Sequence, residues 1–165
     1  MPVDAFLKFE KADGESVQKG HEKWIEIQSW SWGVHADTSW TKGGGASVGK
    51  PDPDRMAIDH IFDSASTVVL GFICTGKAFP KAELHMLKTT GQSSPETYLA
   101  ITMEGVFITK VLTTGTADGK MMQRIEFVFK TIKIEYQPAD PRSGALGAGK
   151  IYTWDIPAGT ASPSS

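Results

Sequence analysis

The stretch MQRIEFVFKTIKIEYQ, residues 122–137, decides the fold class. Ile125, Phe127 and Phe129 fall on odd positions, whereas Ile132, Ile134 and Tyr136 fall on even ones. Alternation with a period of two is the mark of a strand, because successive side chains leave a pleated backbone on opposite faces. The change of parity predicts a β-bulge near Lys130-Thr131, which would keep both sets facing the core.

The same alternation extends in both directions. Upstream lie Leu99, Ile101 and Met103, then Gly105 as a candidate bulge before Val106-Phe107-Ile108. Ala82, Leu84 and Met86 follow Phe79-Pro80, and Met56, Ile58 and His60 form a shorter run. Val3, Ala5, Leu7 and Phe9 open the chain, with Asp13-Gly14 as a turn whose residues tolerate positive φ. Downstream, Ile151 to Ile156 reads as a last strand and the Ser/Pro-rich end as a frayed tail. Three stretches read as loops: 38–53, centred on Gly43-Gly44-Gly45 and closed by Pro51 and Pro53, then 113–120 and 138–149. A loop as long as the first is usually functional or flexible.

One helix is predicted from Thr67 to Thr75, with Ser66 as N-cap, Gly76 just past its end and Lys77 near the negative dipole end. Val69, Phe72 and Ile73 share its inner face. The expectation is a mainly β chain: a single β-barrel domain over residues 1–157 with one flanking α-helix, and a frayed tail over 158–165.

The segment from Trp24 to Trp32 stands apart. On a regular strand Ile25 and Ile27 point one way and Trp24, Trp30 and Trp32 the other, so both faces are apolar. A barrel has one interior, and large apolar groups facing outward mark a protein interface.

Composition narrows function by exclusion. With 17 basic and 19 acidic residues in 165, the formal charge of −2 shows no basic excess for nucleic acid, whose phosphates demand one. No apolar run approaches the ~20 residues needed to span a bilayer. The start, Met1-Pro2-Val3-Asp4, lacks the basic and apolar regions of a secretory signal. The single cysteine, Cys74, excludes an intrachain disulfide and is read as buried and inert.

Two stretches imitate a phosphate-binding loop, Gly44 to Lys50 and Gly144 to Lys150. Neither is followed by the Ser or Thr that would hold magnesium, since Pro51 and Ile151 stand there. His21, His35, His60 and His85 show no metal-ligand spacing and read as solvated or sheet-surface histidines. Asp52, Asp54, Asp59 and Asp63 lack a calcium-loop pattern. No nucleophile motif is present, so catalysis, metal and cofactor are not expected.

The chain resembles the haemolysin-coregulated proteins (Hcp), the tube subunits of bacterial type VI secretion systems. The resemblance runs through residues 3–8, the Asp13-Gly14-Glu15-Ser16 turn, Trp30-Ser31-Trp32-Gly33, Asp63, Gly76-Lys77 and Phe79-Pro80. It continues through Tyr98-Leu99, Tyr136-Gln137-Pro138 and Trp154. It implies a hexameric ring that stacks into a tube, fired by a contractile sheath behind a spike and able to carry effector proteins in its lumen. It also implies a life in the bacterial cytoplasm followed by export without a cleaved signal, and no nucleic-acid partner or membrane insertion. By that analogy Ser31, with Ser29, faces the lumen and its cargo. Trp30, Trp32, Gly43, Gly44, Gly45 and Lys50 are then the ring or stacking contacts. The alternative from the residues alone is a small β-barrel ligand-binding protein or enzyme using the Gly-rich loop 43–50.

Overall fold

The parity change at Lys130-Thr131 is where the sheet divides. A computed structural model describes residues 4–41, 44–90 and 94–162. Strand β8 (Met121–Val128) and strand β9 (Thr131–Tyr136) lie end to end along β7 (Glu96–Gly115). Between them Lys130 N–H donates to the Glu104 carbonyl at 2.9 Å and Ile156 N–H donates to the Lys130 carbonyl at 3.0 Å, so the kink leaves no backbone group of Lys130 unmet. Opposite sits Gly105, with φ of 63°, and a Cβ there would lie 2.9 Å from the Lys130 side chain. Ile125, Phe127, Phe129 and Ile132 all reach one core, as expected. Tyr136 does not; it is exposed, because β9 has by then left the barrel.

The other strands are β1 (Asp4–Phe9), β2 (Ile25–Ser31), β3 (Val34–Thr41), β4 (Gly45–Pro53), β5 (Met56–Ile61), β6 (Phe79–Lys88), β10 (Lys150–Asp155) and β11 (Thr160–Ser162). Strands β7, β6, β1, β2, β5 and β8 pair in that order, and β8 returns to β7 to close the barrel. Closure removes the edges that an open sheet exposes. On the other side of β9, strands β10 and β11 extend the sheet away from the barrel, and Trp154 of β10 is buried in the core. The final segment is therefore paired through Ser162 where a frayed tail was expected, because Thr160–Ser162 finds β10 as a partner.

Helix α1 (Ser64–Thr75) begins three residues before the expected start. Asp63, not Ser66, is the N-cap: its carboxylate accepts from Ala65 N–H at 2.9 Å, and Ser66 Oγ accepts from Asp63 N–H at 3.0 Å. Gly76, at φ 68°, ends the helix as expected. Val69 is buried, and Phe72 stacks on Phe79 with ring centroids 3.9 Å apart. Cys74 lies exposed, which corrects the reading of a buried thiol.

Three further expectations change. The positive φ after β1 belongs to Lys11 (76°), whereas Gly14 is required by a close approach, since a Cβ there would lie 2.5 Å from the Trp24 carbonyl oxygen. Residues 38–53 form most of a hairpin, β3 paired to β4 as a separate two-stranded sheet, because cross-strand hydrogen bonds rather than apolar alternation define it. Finally, His60 and His21 are buried rather than solvated, His60 completely.

Candidate assembly surfaces

The Trp24–Trp32 segment contains a bulge that alternation alone does not reveal. Ile27 pairs with His60 and Ser29 with Asp59, so Gln28 is an extra residue on β2 and the faces exchange there. Trp30 and Trp32 consequently pack against the same core as Ile25 and Ile27, and only Trp24 lies in a cluster on the other face, with Phe6 and Leu87. The outward-facing argument for Trp30 and Trp32 is thereby corrected: both are half-buried. Trp30 Nε1 donates to Met86 Sδ at 3.3 Å, and Trp32 Nε1 donates to the Asp54 carbonyl at 3.1 Å.

The same exchange turns Ser29 and Ser31 outward, and both are exposed on one face of β2. Ser29 Oγ donates to Asp59 Oδ2 at 3.0 Å, and Arg124 Nη1 donates to the same oxygen at 2.9 Å. Arg124 Nε lies 3.7 Å from Glu126 Oε2, which Lys110 Nζ approaches at 3.8 Å. A polar band thus crosses β2, β5, β8 and β7, with two positive and two negative groups offsetting one another. Arg124 is 42% exposed, so these ion pairs are worth little in stability and act mainly to fix side-chain positions. Sequence reading missed the band because each residue is ordinary within its own strand.

Two residues beyond Ser31 the chain leaves the barrel as the β3–β4 hairpin. Its root is tied by Asp54 N–H donating to the Gly33 carbonyl at 2.9 Å. His35 stands between two carboxylates, Nδ1 at 3.1 Å from Asp54 Oδ1 and Nε2 at 3.4 Å from Asp52 Oδ2. Gly44 and Gly45 lie at the tip, Gly45 with φ of 80°, and Gly43 falls outside the described residues. Lys50 is exposed on β4, at a bulge where Gly49 and Lys50 oppose Asp37. Among the described residues neither glycine-rich stretch leads into a helix as a phosphate-binding loop does: residues 45–50 are strand, and residue 150 begins strand β10. Ser29 and Ser31 thus share one surface of the barrel wall, while Gly44, Gly45 and Lys50 belong to the projecting arm.

Among the described residues no group of three or more His, Cys, Asp and Glu side chains is arranged to hold a metal ion, and no helix is long and apolar enough to cross a membrane.

Comparison with known proteins places this architecture. The model of the family described as type VI secretion system effector, Hcp, matches residues 6–136. Protein hcp1 of Pseudomonas aeruginosa is 30% identical over 158 residues, covering 94% of this chain and 96% of that protein. The crystal structure of Hcp1 from Salmonella typhimurium superposes with a TM-score of 0.80 at 29% identity, covering 98% of this chain and 100% of that one. A structure described as a type six secretion system protein superposes with a TM-score of 0.88 at 24% identity over 98% and 100% of the two chains, a likeness of fold. A closed barrel, one capped helix and a projecting hairpin, carried by a sequence that the family model covers from β1 to the end of β9, make this chain a member of the Hcp family of type VI secreted proteins.

Proposed function

We propose that this chain is a structural tube subunit that closes into hexameric rings, that the rings stack, and that the lumen carries effector proteins during export by the sheath and spike. The observation that carries the reading is the β3–β4 hairpin. Residues 34–39 and 44–52 are exposed on every face, so the arm buries almost nothing within its own subunit. An isolated two-stranded hairpin is marginal in water, and such an arm is stabilised by lying on a neighbour. A closed ring is built from heterologous contacts, which demand two different patches per subunit. The hairpin supplies one of them, with Gly44 and Gly45 at its tip, Lys50 exposed on β4 and the half-buried Trp30 and Trp32 at its root; Gly43, which lies outside the described residues, is counted in the same contact.

On this reading Ser29 and Ser31 face the lumen. Their small hydroxyls and the offset charges of Asp59, Arg124, Glu126 and Lys110 impose little net field on a passenger. The subunit does no chemistry; it leaves the cytoplasm without a cleaved signal because the machine expels it.

Light scattering coupled to size exclusion, with negative-stain microscopy, tests assembly: hexameric rings are expected, and a monomer at micromolar concentration overturns the proposal. For the lumen, Ser31→Gln is expected to abolish co-purification of a cognate effector with rings of unchanged mass. Retention equal to the parent chain removes the lumen assignment.

A further inference from the structure

Between β1 and β2 the chain folds into a strap that closes on itself. Gly14 N–H donates to the Lys23 carbonyl at 2.7 Å, Ser16 N–H to the Trp24 carbonyl at 3.0 Å, and Lys23 N–H to the Ser16 carbonyl at 2.8 Å. Two attachments hold it to the fold. At one, Ser64 N–H at the start of α1 donates to Glu15 Oε2 at 3.0 Å, and Ser64 Oγ donates to the Asp13 carbonyl at 3.0 Å. At the other, His21 lies on the outer wall of the barrel. Its ring stacks on Phe6 with centroids 5.2 Å apart, meets Trp24 edge-on at 4.6 Å, and brings Nε2 to 2.9 Å from Nδ1 of His85.

Only one proton fits between those two nitrogens. Were it carried by His85 Nδ1, neutral His21 would hold its own proton on Nδ1, which is buried with no partner in hydrogen-bond geometry and only the Lys19 carbonyl to draw on. A proton on His21 Nε2, donated to His85 Nδ1, leaves a lone pair at that buried position, the less costly arrangement. Protonating both rings sets two N–H groups against each other and two charges side by side in a site withdrawn from water.

The charged groups around the pair are Glu22 in the strap, Lys81 and Glu83 on β6, Lys8 opposite Glu83 on β1, and Glu26 of β2 opposite Phe6. Strand β7 brings only Ala100 and Thr102 opposite His85 and Glu83. Burial holds His21 below the usual histidine range, against the pull of Glu22, the Lys19 carbonyl and Glu83. Burial, and then the neighbouring His21, do the same to His85.

We propose that the strap, residues 14–24, is an acid-released latch: when both His21 and His85 take a proton, it lifts from β1 and β6 and uncovers Phe6 and Leu87. The closed strap binds protons less readily than the open one, whose histidines titrate near 6.5. The latch is therefore fully closed above that pH and loosens as pH falls toward the lowered values of the closed form.

Amide hydrogen exchange on the full-length assembled protein reads this directly, with the rate of the strap corrected for the intrinsic pH dependence and the β7–β8 wall as reference. From pH 7.5 to 5.5 the strap's exchange is expected to rise by about tenfold or more, while the wall stays constant. His85→Gln accepts the His21 proton and removes one of the two titrating rings, so its rise is expected to fall to about a third of the parent's or less. Should that variant be open at both pH values, His21→Leu, which packs on Phe6 without titrating, reads the same quantity. Strap protection that is unchanged by pH in the parent chain, or a rise equal to the parent's in the closed variant that keeps one histidine, overturns the latch.

Discussion

The barrel and the β3–β4 hairpin are separated in the chain by only Trp32 and Gly33, and both are antiparallel strands held by the same ladder of hydrogen bonds. They differ in closure. Each barrel strand has a neighbour on either side and one dry face, so Phe9, Leu84, Met103 and Phe127 lose all contact with water. The hairpin has neither, and Val48 remains 70% exposed. Strand chemistry therefore fixes local conformation in both regions, whereas burial, and with it stability, comes only where the sheet closes. The barrel holds the subunit together, and the hairpin is left available to hold subunits to one another.

The sharpest way to break this contrast is to hollow out the barrel. Phe127 is fully buried, with its ring edge-on to Phe9 at 5.3 Å. Phe127→Ala is expected to cost about 3–5 kcal/mol, read from the denaturant midpoint of the isolated subunit. A loss below about 1 kcal/mol would show that the barrel interior is not where stability resides. A smaller loss is expected at the barrel's polar end. Fully buried His60 lies with Nε2 2.7 Å from Gln123 Oε1, and Gln123 Nε2 donates to the Ser66 carbonyl at 3.4 Å in the first turn of α1. Gln123→Leu strands the imidazole, at about 1–3 kcal/mol by the same measurement. Adding His60→Leu is expected to recover part of that loss, because no buried imidazole is then left without its partner.

These same residues show what a single sequence makes legible. The kink between β8 and β9 was readable because Phe129 and Ile132 are both apolar, and two polar residues, Lys130 and Thr131, separate them. The bulge at Gln28 produces the same exchange of parity, yet it reads equally well as a strand with two apolar faces. What decides it is the register of Ile27 on His60 and Ser29 on Asp59, about thirty residues away, and register is a tertiary fact. The polar band depends on register even more, since Ser29, Asp59, Arg124 and Lys110 come from four strands. Helix α1 was legible in its existence and inner face. Its outer face was not, because it carries no charge, and nothing distinguishes Cys74 from the buried positions. The hairpin reads as a loop because it has no apolar alternation to display. Ser29 and Ser31 enter as lumen candidates only through the family resemblance; the band that holds Ser29 was not legible at all.

The smallest effect is expected at Val48, and it sharpens the contrast most. Its side chain, opposite Thr38 on β3, contributes almost no burial within the subunit. Val48→Ser is expected to shift the unfolding free energy of the isolated subunit by no more than about 0.5 kcal/mol, the range for surface substitutions. If the arm is covered on assembly, the same change removes apolar area from an interface, where burying a valine is worth roughly 1.5–3 kcal/mol. Sedimentation velocity of rings across a concentration series separates the two effects. An unchanged subunit stability with a rightward shift in the association curve, by about tenfold or more, marks the hairpin as contact surface. Equal association of the two proteins would place Val48 outside the contact and confine the arm's role to residues nearer its tip.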